Sequence, residues 1–329
     1  MTTICVDVMG SDREPSVLLE GVSMALERDP ELKVLVVGDA VVVEPFARDH
    51  ERTSALVTTG VIGMDEHPAN AVRKKKDASI VRAAAAVRAG EADGLFSAGS
   101  TGAVLTAATF GIGRIKGIRR PALTLAIPGV TGKKTVFLDC GANADVHPDT
   151  LVQFAHMGCA YAQVVLGIEE PRVALLSNGS EDTKGSGLAL QYHQALSEGN
   201  CGFVGNAEGN DLLAGTFDVI VSDGFTGNVA LKAVEGTAKF IMSRVKAATG
   251  NSKSAALGAL MLKPALRSVA GELSGDEMGG AVLLGLRAPV VKGHGSTSAE
   301  AVANGTLACA RAARGRLCER IAKVCETAE

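Results

Sequence analysis

The stretch Leu95–Gly102, LFSAGSTG, decides the fold, because an apolar run ends in a glycine-rich turn and a helical pattern follows directly. The same order recurs in Val219–Asn228, VIVSDGFTGN, and in Val290–Thr297, VVKGHGST. Each segment predicts a strand, a tight turn and a helix N-terminus, where free backbone N–H groups can bind an anion. If the three strands belong to one parallel sheet, the turns open on the same edge, where α/β proteins bind ligands. We therefore predict an enzyme that holds a phosphate-like group.

The composition is that of a globular protein with an aliphatic core. The chain has 329 residues, of which 47% are hydrophobic and 3% aromatic, and it contains no Trp. A net charge of −3 is too close to neutral for a general nucleic-acid binder, so we expect no nucleic-acid partner. The seven cysteines lack metal-ligand spacing, and we find neither a signal-peptide pattern nor an apolar run long enough to span a membrane. These features predict a cytoplasmic protein.

Strand-like and helical patterns alternate along the chain, which predicts βαβ units and a mostly parallel sheet with helices on both faces. The predicted strands are Ile4–Val8, Val34–Val37, Ala92–Ser97, Leu123–Ile127, Val136–Asp139, Val173–Ser177 and Phe217–Ser222. The predicted helices lie near Pro15–Glu27, Ser79–Arg88, Asp149–Val165 and Lys184–Leu196. Turn residues at Thr131–Lys134 and the stretch Leu283–Val290, which contains Gly285 and Pro289, indicate two antiparallel hairpins. No linker interrupts the pattern, so residues 1–329 are predicted to form a single α/β/α domain.

One helical stretch departs from this alternation. From Phe225 the pattern stays helical for about fifty residues, and Pro264 forces a break, which predicts a helical protrusion at about 236–275. The pair of helices has two apolar stripes and basic flanks. Packing on the sheet or on a second subunit is one interpretation. The other, which we adopt as a hypothesis, is that Ser252–Leu273 is an exposed tip that contacts a membrane surface or a partner.

The polar residues that follow the predicted strands are rich in Asn, Gly and Thr, a composition that suits binding of an oxyanion by dipoles. The sequence has no G-x-S-x-G or H-E-x-x-H motif and no Cys beside a plausible His, so we expect no covalent nucleophile relay. Metal ligation by Asp7, Asp12 and Asp145 is conceivable, but acidic residues at strand ends more often cap helices. We predict neither a metal nor a cofactor. The predicted substrate-binding residues are Asp7, Gly99, Ser100, Thr101, Gly102, Asn143, Asn206, Asp223, Thr226, Gly227, Gly295 and Ser296.

Several of these segments together resemble the PlsX family of bacterial phosphate acyltransferases of phospholipid synthesis. The resemblance runs from Ile4 to about Cys309, and its most specific part is Asp223–Lys232, DGFTGNVALK. The other matching segments are Val6–Asp12, Ser97–Ala103, Asp139–Asp145, Phe203–Gly209 and Gly279–Ser296. The chain departs from the family pattern where Ser11 and Arg13 replace Gly and His, where Ser100 replaces Asn, and where Ser177 and Asn178 replace Asn and Ile. Ser11 and Ser100 keep small polar groups, which preserves a phosphate cradle.

The resemblance implies a three-layer α/β/α fold, shared with isopropylmalate dehydrogenase and phosphotransacetylase, in a homodimer. The implied reaction is acyl-[acyl-carrier protein] plus inorganic phosphate, which gives acyl phosphate and free carrier protein. It also implies delivery of the acyl phosphate to a membrane glycerol-phosphate acyltransferase, and hence contact with the inner face of the membrane.

The reaction that the resemblance implies needs no catalytic Ser or Cys, because phosphate itself is the nucleophile. The protein must hold the phosphate close to the thioester and stabilise the developing oxyanion with fixed donors. We predict Lys184, Asn228 and His294 as catalytic residues: a cation, a side-chain donor and a contact to phosphate or thioester. His294 stands where phosphotransacetylases have an arginine. The basic runs Arg73–Lys76 and Arg119–Arg120 are candidate surfaces for acidic acyl carrier protein.

Two other functions compete with this hypothesis. A nicotinamide- and metal-dependent dehydrogenase of the same fold would need clustered Asp ligands and a basic substrate triad, neither of which the sequence shows. A non-catalytic regulator that binds acyl groups or phosphate would need the same anion turns but no turnover. The sequence leaves the acyl-chain preference open.

Overall fold

The computed structural model describes residues 1–249, 258, 261–262 and 279–326. All its strands belong to one sheet: β1 Thr2–Asp7, β2 Leu32–Gly38, β3 Thr53–Val57, β4 Gly94–Ser97, β5 Ala122–Pro128, β6 Lys134–Leu138, β7 Val173–Leu176, β8 Phe203–Ala207, β9 Val219–Val221, β10 Ala281–Leu284 and β11 Val290–Lys292. The helices are α1 Pro15–Arg28, α2 Ala40–Asp49, α3 Pro68–Lys74, α4 Ser79–Ala89, α5 Thr101–Gly111, α6 Pro148–Leu166, α7 Gly187–Glu198, α8 Asp211–Ala214, α9 Gly224–Thr249, α10 Ala299–Arg314 and α11 Leu317–Glu326.

The sheet has the strand order β3-β2-β1-β4-β11-β10-β5-β6-β9-β7-β8. Strands β3, β2, β1, β4 and β11 form one parallel block, and β6, β9, β7 and β8 form another. Three antiparallel pairs, β11–β10, β10–β5 and β5–β6, join the two blocks, so the blocks run in opposite directions. The predicted mostly parallel sheet and both predicted hairpins are confirmed.

The opposite directions of the blocks correct one expectation. The turns after β4 and β11 leave the first block, whereas the turn after β9 leaves the second, so the three turns do not open on one edge of a single parallel sheet. The last residues of β11 and β6, one strand from each block, nevertheless lie beside the central strands β10 and β5. Lys292, the last residue of β11, pairs with Ala281 of β10, and Leu138, the last residue of β6, pairs with Thr124 of β5. The C-terminal ends of β11 and β6 therefore flank β10 and β5, and the two ends point in opposite directions.

Helices cover both faces of the sheet, which gives the predicted three layers. Alternation along the strands divides the core in two: Ile4 and Val6 face one cluster, and Cys5 faces the other. Helices α1, α2, α6, α7, α10 and α11 pack on the first face, and α3, α4, α5, α8 and α9 pack on the second. The second face is the one that carries the candidate site.

The elements that the sequence did not predict lie mostly at the two edges of the sheet. Strands β3 and β8 are edge strands with half-exposed residues, so their apolar pattern is weak. Helix α7 begins at Gly187 and not at Lys184, because Ser186 caps it and its Oγ accepts the Ala189 N–H at 3.2 Å. Lys184 consequently lies in the loop between β7 and α7.

The predicted helical protrusion is described only in its first part. Helix α9 continues to Thr249, as the long helical pattern indicated. The break at Pro264 and nearly all of the predicted tip Ser252–Leu273 lie outside the described residues. Among the residues that the structure does describe, no helix combines the length and apolar character needed to cross a membrane.

Candidate functional site

A cavity of about 400 Å³ opens on the second face of the sheet, over β5 and between α5 and α9. Both blocks of the sheet contribute to its walls. Its polar residues are Thr101, Asn228, Lys232, Glu235, Lys292 and His294. Its apolar residues include Leu123, Leu125, Ile127, Leu213, Leu231 and Val234. A cavity with one cationic, polar side and one aliphatic side can accommodate an anionic group joined to an apolar chain.

The first of the three glycine turns opens on this cavity. Ser100 caps α5, and its Oγ accepts the Ala103 N–H at 3.3 Å. Thr101, the first residue of the helix, lines the cavity. Within the described part of the chain, the backbone N–H groups of Thr101 and Gly102 have no acceptor. This helix N-terminus therefore keeps two free donors, as the sequence predicted.

In the second turn, the N–H groups at the start of the helix are already hydrogen-bonded within the chain. The first four N–H groups of α9 all have acceptors: those of Gly224 and Phe225 donate to the carbonyls of Asn143 and Ala144, and those of Thr226 and Gly227 donate to the side chain and carbonyl of Asp223. The Thr226 hydroxyl also donates to Asp223, at 2.9 Å. Asp223, Thr226 and Gly227 thus form the start of a helix, and an anion would have to displace a carboxylate to bind there.

The third turn places His294 in the cavity. Its Nδ1 accepts the Ser296 backbone N–H at 3.2 Å and lies 2.9 Å from the Ser296 Oγ. Burial, together with the ammonium groups of Lys292 and Lys232, lowers the pKa of His294. A neutral ring whose Nδ1 accepts a hydrogen bond carries its proton on Nε2. His294 therefore offers an N–H donor. Gly295 ties the turn to the loop after β1, because its carbonyl accepts the Asp12 N–H and the Ser11 hydroxyl.

Two lysines of the cavity, Lys232 and Lys292, are not among the site residues that the sequence predicts. Lys292 ends β11, and burial followed by the nearby Lys232 lowers its pKa, while Asp12 and Glu235 act in the opposite direction. Lys232 lies on α9 and forms an ion pair with Glu235, with Nζ and Oε2 at 2.7 Å. Both residues carried a signal in the sequence. Lys292 is a charged residue at the end of a buried strand, and Lys232 follows Asn228 by four residues, on the same face of a helix.

Asn228 lines the cavity from the first turns of α9. Its side chain packs against Gly141, where a Cβ would lie 3.3 Å from the Asn228 Cβ and Cγ. Gly141 has a φ of 127°, which is accessible to glycine and unfavourable for other residues. No residue in the described ranges takes a hydrogen bond from the Asn228 amide or gives one to it. The predicted side-chain donor is thus in the cavity and free to contact a ligand.

Other predicted binding residues have structural partners instead. Asp7 is buried at the end of β1, where it accepts the Ser97 hydroxyl at 2.9 Å and the Met9 N–H at 3.2 Å, and burial raises its pKa. The Asn143 amide donates to the Pro121 carbonyl and to Asp139, both at 2.8 Å. Asp7 and Asn143 hold the loops after β1 and β6 in shape, so we assign them to positioning the cavity walls.

Asn206 and Lys184 lie together at a different place. Asn206 is buried, and its amide donates to the Glu181 carbonyl at 2.8 Å, which fixes the loop that carries Lys184. Lys184 is exposed and is not among the residues that line the cavity. The structure therefore brings Asn228 and His294 together with Lys232 and Lys292, and leaves Lys184 outside that group.

The cavity combines a cationic, polar side with an aliphatic side, and solved structures of other proteins share the fold that carries it. The structure superposes on a phosphotransacetylase from Streptococcus pyogenes with a TM-score of 0.61 and 19% identity, over 96% of this chain and 94% of that one. A 4-hydroxythreonine-4-phosphate dehydrogenase from Klebsiella pneumoniae gives a TM-score of 0.52 at 14% identity, over 95% of this chain and 100% of that one. At such identities the likeness concerns the fold alone, and it confirms the predicted phosphotransacetylase-like architecture.

Comparison with protein sequences identifies the family to which the chain belongs. A family model described as "Fatty acid synthesis protein" matches residues 2–320. A phosphate acyltransferase from Limosilactobacillus reuteri is 49% identical over 307 residues, which are 92% of this chain and 90% of the relative. One from Streptococcus pneumoniae is 47% identical over 304 residues, which are 92% of each chain. The chain belongs to this family, and the protein is an acyltransferase. The predicted family resemblance is confirmed.

Proposed function

We propose that the protein transfers the acyl group of acyl-[acyl-carrier protein] to inorganic phosphate and so makes acyl phosphate for bacterial phospholipid synthesis. The observation that carries the proposal is one cavity in which the free N–H groups at the start of α5, Lys232 and Lys292 adjoin the aliphatic wall of β5. The names of the relatives and the description of the family support both the phosphate acceptor and the link to fatty-acyl metabolism.

Phosphate binds, in this proposal, between the α5 N-terminus and the two lysines. The N–H groups of Thr101 and Gly102 and the ammonium groups of Lys232 and Lys292 supply donors and positive charge for a dianion. One phosphate oxygen forms a bond to the thioester carbonyl carbon and the carbonyl oxygen takes up the negative charge; the C–S bond then breaks as the carbonyl re-forms. Sulfur leaves with the electron pair and gains the proton that hydrogen phosphate loses, so acyl phosphate and the carrier thiol form with charge in balance.

The carbonyl oxygen of the thioester becomes negative during this step and needs fixed donors. His294 is suited to the role, because its neutral ring donates through Nε2 and needs no proton transfer to do so. The Asn228 amide is the second donor. Leu125, Ile127 and Leu231 line the aliphatic side of the cavity, where the first part of an acyl chain can be buried.

We propose the α3 side of the cavity as the docking surface for acyl carrier protein. Pro68, at the start of α3, packs against Gly102 of α5, which leaves no room there for a Cβ. The basic residues Arg73–Lys76 at the end of α3 are all exposed, with Lys75 paired to Glu66 at 2.7 Å, and α3 packs on α5, whose first residue lines the cavity. Arg119, the other basic candidate, is paired with Asp149 at 2.8 Å.

We also propose a cytoplasmic homodimer that visits the inner face of the membrane. Phe225, Val229 and Phe240 lie on one side of α9, and each is more than half exposed, which supports contact with a second subunit. The membrane contact rests on the sequence pattern of Ser252–Leu273. Leu257→Glu with Leu260→Glu is expected to release the protein from anionic vesicles in a flotation assay while turnover in solution persists; loss of the dimer would assign these leucines to the subunit interface.

The reaction is tested by incubating the protein with acyl-[acyl-carrier protein] and phosphate, and by trapping acyl phosphate with hydroxylamine. We expect carrier thiol and hydroxamate to appear together and only when phosphate is present. Parallel assays with acyl-coenzyme A, with a chelator and with nicotinamide cofactors test the carrier requirement and the competing dehydrogenase hypothesis. Binding of both substrates without thiol release would point to the non-catalytic regulator.

A further inference from the structure

Glu235 is an acidic residue in a cavity that otherwise suits an anion. It lines the cavity with Lys232, Lys292 and His294, and its side chain is 27% exposed. Its Oε2 is held by the Lys232 ammonium at 2.7 Å. Its Oε1 takes no hydrogen bond from any residue within the described ranges. Within the part of the chain that the structure describes, the carboxylate is thus held through one oxygen, and the other oxygen has no partner.

A fixed carboxylate beside an anion site distinguishes anions by their protons. An ionised carboxylate only accepts hydrogen bonds, so it repels an oxyanion that has no proton to donate. Hydrogen phosphate carries an O–H group at neutral pH, whereas sulfate, which has nearly the same size and shape, carries none. A site built to hydrogen-bond a ligand O–H group rejects the analogue that lacks it, because a buried polar group is left unpaired.

We propose that Glu235 is the specificity residue that makes this cavity select hydrogen phosphate over sulfate, through a hydrogen bond from the phosphate hydroxyl to its free Oε1. The inference rests on the proposed function, because it concerns the phosphate site of that reaction. Lys232 has two roles in this arrangement. Its charge attracts the anion, and its ion pair holds Glu235 in the orientation that accepts a hydrogen bond from the phosphate hydroxyl.

A simpler role for Glu235 makes a different prediction. If the carboxylate only balances the charge of Lys232, its removal strengthens the binding of phosphate and sulfate by the same factor. If the Glu235 carboxylate accepts a hydrogen bond from the phosphate hydroxyl, its removal strengthens sulfate binding far more than phosphate binding, since only phosphate loses a hydrogen bond. The ratio of the two dissociation constants therefore separates the two roles.

The experiment measures binding without an acyl substrate. Equilibrium dialysis with radiolabelled phosphate, with sulfate as competitor, is carried out on the wild-type protein, on Glu235→Gln, and on Glu44→Gln as a control at an exposed site on α2. We expect sulfate to bind the wild type about 10- to 100-fold more weakly than phosphate, which is the range for one unpaired polar group. In Glu235→Gln, whose amide can donate to a sulfate oxygen, the ratio should approach one. Glu44→Gln should keep the wild-type ratio.

Arsenate is the positive control, because hydrogen arsenate carries the same O–H group as phosphate. Its affinity relative to phosphate should be unchanged in Glu235→Gln. Glu235→Ala, which removes the acceptor without adding a donor, guards against an effect particular to the glutamine, and thermal unfolding of each variant verifies that it is folded.

Equal strengthening of phosphate and sulfate binding in Glu235→Gln would overturn the proposal, and so would a wild-type protein that does not discriminate between them. Failure of the proposed function looks different. In that case the wild type binds phosphate selectively, yet phosphate releases no thiol from acyl-[acyl-carrier protein].

Discussion

Gly227 of α9 lies against the main chain of Asp139, so close that a Cβ on Gly227 would collide with the Asp139 carbonyl oxygen. The same Cβ would lie 2.7 Å from the Ser222 Oγ. This close approach brings the start of α9 onto the loop after β6 and so sets where Asn228 and Lys232 enter the cavity. The only residue that permits it is glycine, for lack of a side chain.

Gly227→Ala is therefore expected to destabilise the protein and to displace α9. Overpacking of this kind typically costs about 1–3 kcal/mol in free energy of unfolding. Gly236→Ala on the same helix is the matched control, because nothing lies within 4 Å of its Cβ position. Replacing an exposed helical glycine by alanine should stabilise the protein by about 0.5–1 kcal/mol. Urea unfolding measures both, and equal effects at the two positions would show that the close approach is absent.

Asn228→Ala should lower kcat by about 10²–10³, the usual loss when one preorganised donor to an oxyanion is removed. The fold should persist, because the Asn228 side chain is exposed and alanine keeps the Cβ that lies against Gly141. Steady-state kinetics with acyl-[acyl-carrier protein] and phosphate measure the effect. A variant with wild-type kcat would remove Asn228 from the mechanism.

Lysine variants decide between the sequence prediction and the cavity geometry. The sequence pattern predicts Lys184 as the cation, and removal of that cation would lower turnover by about 10²–10³. The cavity contains Lys232 and Lys292 instead, so we expect Lys232→Met and Lys292→Met to raise KM for phosphate more than Lys184→Met does. Lys33→Met, on the exposed side of β2, controls for the loss of one charge. If Lys184→Met has the largest effect, the loop that carries Lys184 must close over the cavity.

His294 should give the reaction an acidic limb with a midpoint below 6.5, the ordinary pKa of histidine, because burial and the two lysines lower its pKa. As pH falls through this lowered pKa, the ring gains a proton on Nδ1 and loses the hydrogen bond from the Ser296 N–H. His294→Gln keeps a neutral donor and should lack the limb. The ratio of the two pH–rate profiles cancels the titration of phosphate. A ratio that is independent of pH would mean that His294 does not titrate in the reaction.

His156 predicts how stability depends on pH. The residue is 7% exposed in α6, its Nε2 has no partner among the described residues, and burial lowers its pKa from 6.5. The unfolded chain then binds a proton that the folded chain does not, so stability is lost as pH falls below 6.5, by up to about 1.4 kcal/mol per pH unit. His156→Leu should flatten this dependence in urea unfolding between pH 5 and 7, and His67→Leu, at an exposed position, should not.

The sequence predicted those parts of the fold that depend on local signals. The turn Thr131–Lys134 and the stretch Leu283–Val290 indicate the two hairpins, and apolar runs indicate most central strands. The opposite directions of the two blocks could not be predicted, because they follow from the position of β5 and β10 between the blocks. That position depends on contacts between residues far apart in the chain, such as Val282 with Thr124.

The site was predicted in part for a similar reason. A strand, a glycine turn and a helix indicate free N–H groups, and the turn before Thr101 has them. The turn before Gly224 has the same pattern, but Asp223 caps the helix there. An Asp at such a turn can bind a ligand or cap the helix, and spacing alone does not distinguish these two roles. The sequence pattern favours Lys184 over Lys232 and Lys292, because its loop follows a predicted strand, whereas the cations of the cavity come from a helix face and a strand end.

The joining of two opposed blocks by antiparallel strands has a consequence for how the site responds to motion. Thr101, Lys292 and His294 belong to one block, and Asn228 and Lys232 to the other. A substrate that contacts both sets of residues links the two blocks across the centre of the sheet. A small change in twist along β5 and β10 would widen or narrow the cavity while every loop keeps its conformation. The span between α5 and α9, followed by paired spectroscopic labels at the exposed residues Phe110 and Ala233, would report that flexing as phosphate binds.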